Sequence, residues 1–131
     1  MSENMKGEQA DITIGFTAGA SNASTVAITV KDAAGNAVSE PYLLDVWLSD
    51  AATGLGLTAT ASSSAAAIVS GYGSIFTINT AKKCWDVQTN ASGEARITIT
   101  DTAKTRFYVG VRDPRSGRSL VSAKMATADY T

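Results

Sequence analysis

Residues 26–48, VAITVKDAAGNAVSEPYLLDVWL, constrain the fold more than any other stretch. Val26, Ile28 and Val30 alternate with Ala27 and Thr29. In an extended chain that places the large apolar side chains on one face and the small or polar ones on the other. The β-branched content suits a pleated, half-buried surface. Residues 31–37 then read as a turn. Asp32 can bond forward to the backbone, and Gly35 and Asn36 supply the positive φ that a tight reversal demands. Pro41 falls at a strand entrance, where its missing N–H costs least. Beyond it Leu44, Val46 and Leu48 share one face, and Leu43, Asp45 and Trp47 share the other.

The same grammar recurs along the chain. Ile12, Ile14 and Phe16 alternate over residues 11–16. Residues 74–80 set Ile75, Thr77 and Asn79 against Phe76 and Ile78, and residues 82–89 point Trp85 and Val87 inward. Ala95, Ile97 and Ile99 alternate with Arg96, Thr98 and Thr100, and Phe107, Val109 and Val111 with Arg106, Tyr108, Gly110 and Arg112. Residues 119–123 supply a closing strand. Residues 57–70, LTATASSSAAAIVS, contain an alanine run that suits a helical turn, but their β-branched and glycine neighbours favour a loop with a short strand. No amphipathic helical period runs for three turns, and there is no repeat of solenoid length. Roughly seven to nine short strands separated by turn residues predict an all-β chain folded as an antiparallel β-sandwich. The expected organisation is a polar arm over residues 1–10, the sandwich over 11–126, and a tail over 127–131.

Composition narrows the function. Eleven basic and 12 acidic residues give a formal net charge of -1, without the basic excess of a nucleic-acid binder. No apolar run approaches membrane-spanning length, and the polar start MSENMKGEQAD lacks the apolar segment of a signal peptide. Folding in a cytoplasm, with no membrane partner, is the expectation. The sequons at Asn22 and Asn90 then read as turn residues rather than glycan sites. Cys84 is the sole cysteine, so no intrachain disulfide forms, and the chain has no histidine. That leaves Cys84 without the base a catalytic thiol needs, and it reads as a small hydrophobe.

Candidate chemistry is sparse. Asp45, Asp86, Glu94, Asp101 and Asp113 are the carboxylates that could form an acid–base pair. Most sit in turns, where aspartate serves the backbone; Asp45 and Asp86 sit on strands, on faces assigned to solvent. Asp32 with Asn36, or Asp50 with Asp101, would be the oxygen ligands of a calcium site, but no calcium-loop spacing is present. The paired glycines at Gly54 and Gly56, and at Gly71 and Gly73, lack the lysine–serine and strand-to-helix context of a phosphate loop. No metal, cofactor or catalytic residue is therefore assigned. Arg112, Arg115 and Arg118 cluster about the last turn, either as a solvated loop or as a contact patch for an acidic neighbour. Leu43 and Trp47 give their strand a second apolar face, as in a covered central strand or an interface. Tyr42, Leu43, Trp47 and Tyr108 are thus the candidate aromatic contact surface.

Two fragments carry a family resemblance: ITVKDAAGNAVSEPYLLDVWLS at residues 28–49 and TNASGEARITITDTAKTRFYVGVRD at residues 89–113. The first resembles the opening half of bacterial immunoglobulin-like domains of the invasin type, with Asp32, Gly35 and Asn36 in its turn. The second resembles that family's closing half, with Thr89, Gly93 and Ala95. VWLSDAATG, TAKK and ITDTAKT also resemble small immunoglobulin-like proteins encoded among tailed-bacteriophage structural genes. The resemblance implies an immunoglobulin-like sandwich with no enzymatic role. It implies a virion protein made in the host cytoplasm, a capsid decoration or minor head protein bound to the phage major capsid protein or to other virion proteins. Copies at symmetric positions would make a homo-oligomer natural. The alternatives are a tail- or fibre-associated protein, and a carbohydrate- or receptor-binding module using exposed aromatics such as Trp47 and Tyr72.

Overall fold

The computed structural model describes residues 11–32, 34–115 and 117–130; the expected arm over residues 1–10 lies outside them. Nine strands are found among the described residues. They are β1 (Asp11–Ala18), β2 (Ala23–Lys31), β3 (Leu43–Ser49), β4 (Ala67–Ile68), β5 (Ser74–Thr80), β6 (Cys84–Gln88), β7 (Glu94–Thr100), β8 (Tyr108–Arg112) and β9 (Ser119–Val121). A short 3₁₀ turn, Thr127–Asp129, follows.

Period-two alternation sets the layers. Each strand with one apolar face must bury it, and two such sheets solve the problem by facing each other. One sheet has four strands in the order β1-β2-β7-β4, the other five in the order β5-β6-β3-β8-β9. All their pairings are antiparallel. The four-stranded order is that of the A, B, E and D strands of an immunoglobulin-type sandwich, and β3-β8-β9 follows C, F and G. Here β6 and β5 widen the second sheet beyond β3, and β4 precedes both of them in the chain.

The core is the apolar half of each alternation. Val26, Ile28 and Val30 from β2 and Ala95, Ile97 and Ile99 from β7 meet Leu44, Val46 and Leu48 from β3, Trp85 and Val87 from β6, and Val109 and Val111 from β8. Each large aliphatic side chain so buried contributes about 1.5–3 kcal/mol. The expected inward faces of these strands are the observed ones.

The first turn is built as Asp32 and Gly35 predict, but Asn36 does not take the expected positive φ. Asp32 Oδ1 accepts the backbone N–H groups of Ala34 and Asn36, each at 2.9 Å. Gly35 has φ 87°, where a side chain would be strained. Residues 57–70 are loop with the two-residue strand β4. Within the expected tail over residues 127–131, Tyr130 lies in the core. Tyr130 is buried and donates its hydroxyl to the Thr105 carbonyl at 2.6 Å, and the neighbouring Met125 is buried as well.

Candidate functional site

The five-stranded sheet turns one face to the core and the other outward, and register decides which side chains share the outer face. Asp45 on β3 lies opposite Asp86 on β6 and opposite Arg112 on β8. Trp47 lies opposite Cys84 and Gly110, Leu43 opposite Gln88, and Ser49 opposite Tyr108. The outer face therefore carries Leu43, Asp45 and Trp47 in the middle, flanked by Cys84 and Asp86 on one side and by Tyr108, Gly110 and Arg112 on the other.

Tyr42 does not belong to that face. It is 2% exposed and lies in the core. The two-residue period that turns Leu44, Val46 and Leu48 inward takes Tyr42 with them. Its hydroxyl donates to Asp113 Oδ2 at 2.6 Å, and the Arg115 guanidinium stacks over its ring at 4.7 Å. Burial raises the Tyr42 phenol well above its ordinary value, and the Asp113 carboxylate adds to the shift. Tyr42, Asp113 and Arg115 thus brace one end of the sandwich. The expected arginine cluster divides accordingly. Arg112 is on the outer face, Arg115 is on the Tyr42 brace, and Arg118 lies beside Asp11, Ile12 and Leu120 where β1 meets β9. The expected aromatic surface reduces to Leu43, Trp47 and Tyr108. Tyr72, the other aromatic considered for glycan contact, is on neither side of this sheet and is stacked under Arg96 at 3.9 Å.

Trp47 is held in place. Its Nε1–H donates to the Gly54 carbonyl at 2.9 Å, and its ring covers Gly110 so closely that a Cβ there would stand 2.2 Å from Cε2. Around it lies a groove of 490 Å³ lined by Asp45, Trp47, Gly56, Leu57, Asn79, Cys84, Asp86 and Arg112. Arg112 Nη1 reaches Asp45 Oδ2 at 3.5 Å, and Asn79 Nδ2 donates to Asp86 Oδ1 at 3.0 Å. Burial, and then the hydrogen-bonded Asp86 carboxyl, lift Asp45 above the ordinary carboxylate range; Arg112 pulls it back. Burial also raises the Cys84 thiol, and the two nearby carboxylates reinforce that shift against the Asn79 amide. A thiol so placed is held in its protonated, weakly nucleophilic form.

The second outward feature is the edge strand β5. Its pairing with β6 shifts register between Ile75 and Thr77 and again between Ile78 and Thr80. The bulges break the simple alternation expected over residues 74–80. Ile75 still packs on the core, but Phe76 is 69% and Ile78 58% exposed. Ile78 pairs with the buried Trp85, so it leaves on the core side of the sheet. It stays uncovered because the facing sheet ends at β4, which is two residues long. Neither the Asp45–Asp86 pairing, across 40 intervening residues, nor this overhang has a local sequence signature. Only the isolated apolar residues of SIFTINT hinted at the second.

Among the described residues no group of three or more histidine, cysteine, aspartate or glutamate side chains is placed to hold a metal ion. No helix of the described residues is long and apolar enough to cross a membrane. Comparison with protein-family models, curated proteins and solved structures gave no match to this chain.

Proposed function

We propose that the protein is a non-enzymatic binding module, a structural protein of a tailed-phage particle that attaches to the major capsid protein as a decoration or minor head protein. The observation that carries the binding role is the overhanging edge strand β5, with Phe76 and Ile78 uncovered beside a backbone edge that no other described strand pairs. Two large apolar side chains exposed on a sheet edge are a liability for a free monomer and an asset for a docked one. A partner strand or loop laid on β5 would cover both and satisfy the edge. The virion setting rests on the resemblance of VWLSDAATG, TAKK and ITDTAKT to phage structural proteins.

Quantitative gels of purified particles and of separated heads and tails test this reading. The protein is expected at high copy number in heads. Absence from virions overturns the virion setting, and low copy number in the tail fraction favours the tail-associated alternative.

A further inference from the structure

The groove over Asp45, Trp47 and Asp86 has the chemistry of a site for a cation. We propose that it seats a basic side chain, guanidinium or ammonium, presented by an extended segment of a partner protein. The argument begins with the row Asp86–Asp45–Arg112 across β6, β3 and β8. Like charges placed directly opposite each other on neighbouring strands destabilise a sheet. This fold supplies one guanidinium in compensation, at 3.5 Å from Asp45 and on the side away from Asp86. Asp86 receives the neutral amide of Asn79. When both carboxylates are ionised, they and the one guanidinium leave the row with a net charge of -1 at the groove floor. A second cation on the Asp86 side completes the pairing.

The rest of the lining fits the same guest. Trp47 lines the same groove two residues along β3 from Asp45, with its indole on the β8 side, over Gly110. Indole is the best side-chain partner for a cation over its ring. The hydrogen bond to Gly54 and the seat on Gly110 fix the ring before any ligand arrives, which lowers the ordering cost of binding. Leu57 and Gly56 supply an apolar wall for the aliphatic stem of an arginine or lysine. Asn79 belongs to β5, so an extended segment laid on that edge has the groove within reach of its side chains. The proposal rests on β5 as the docking edge only in placing the segment there; the groove's choice of a cation is independent of it.

The test uses the full ¹⁵N-labelled chain and three blocked hexapeptides of alternating sequence, Arg-Ser, Gln-Ser and Glu-Ser, with maltohexaose as a fourth probe. The Arg-Ser peptide is expected to give saturable shifts at the Trp47 indole N–H and the Asn79 side-chain amide, and a change in tryptophan emission. Asp86→Asn should weaken it at least tenfold, and added salt should weaken it further. Asp45→Asn serves as the second variant if Asp86→Asn loses its far-ultraviolet spectrum. Glu94→Gln, on the other sheet, should bind as the parent does. Equal affinity for the Gln-Ser peptide, indifference to the loss of either groove aspartate, or saturable binding of maltohexaose alone would overturn the proposal. Peptide binding by a chain that is absent from virions sinks the virion reading and leaves the groove standing. Attachment to heads that survives Asp86→Asn, with no peptide binding, does the reverse.

Discussion

At the scale of single residues, Gly110 and Trp47 act as one unit. Gly110 is buried on β8 with Trp47 lying across it, and no larger residue fits without moving the indole. Gly110→Ala is expected to cost about 1–3 kcal/mol, the usual range for overpacking. It should also change the tryptophan emission, because Trp47 must leave its bond to Gly54. Urea denaturation followed by fluorescence checks both; a parent-like midpoint and spectrum would show that the contact is not tight. The sequence set Trp47 opposite Leu44, Val46 and Leu48, and that much was legible from period two alone. What the ring rests on was not legible, because Gly110 belongs to a strand more than 60 residues further along. Tyr42 shows the converse. Its placement among exposed aromatics gave way to the parity of its own strand, which pulls it inward to meet Asp113.

At the scale of elements, β5 separates stability from binding. Phe76 and Ile78 are exposed, so replacing both with serine should change the folding free energy by no more than about 0.5 kcal/mol per site. The same double variant should lose attachment to purified heads in a sedimentation assay. A variant that melts like the parent and still sediments with heads would remove β5 from the interface. The turns around such elements were readable because their chemistry is local: Asp32 bonds to residues two and four positions ahead. The bulges of β5 were not readable. They arise from its fit against β6, a neighbour whose spacing no local pattern encodes.

For the whole molecule, stability should respond to pH through groups whose pKa values folding moves in opposite directions. Asp50 accepts the Ala59 N–H and the Thr58 hydroxyl, which hold its carboxyl below the ordinary range. Its contribution is present above the unfolded aspartate value and fades as pH falls through its lowered folded value. Asp45 is shifted upward, mainly by burial. Its folded form binds the proton more readily than the unfolded chain, so stability falls as pH rises from the ordinary aspartate range through the raised value. Tyr42 and Tyr130 are raised chiefly by burial, so their contribution is full below about pH 10 and is lost above it. Thermal melts of the parent and Asp45→Asn across pH check the sign. The variant should gain Tm relative to the parent as pH climbs from about 4 toward 7. A difference in Tm that is flat or shrinks over that window would show that the fold does not raise the proton affinity of Asp45.

The sequence by itself determined the strands, most of their inward faces, the first turn and therefore an antiparallel sandwich. Those features depend on a two-residue period and on backbone chemistry reaching only a few residues ahead. Tertiary structure alone decided that Asp45 and Asp86 face each other, that Trp47 is seated on Gly110, that Tyr130 closes the core, and that β5 overhangs a sheet ending at β4. Each of these is set by pairing or packing between segments distant in the chain. Register slides in steps that an alternating pattern leaves equivalent on each face, so only the packed sandwich selects which outer residues become neighbours.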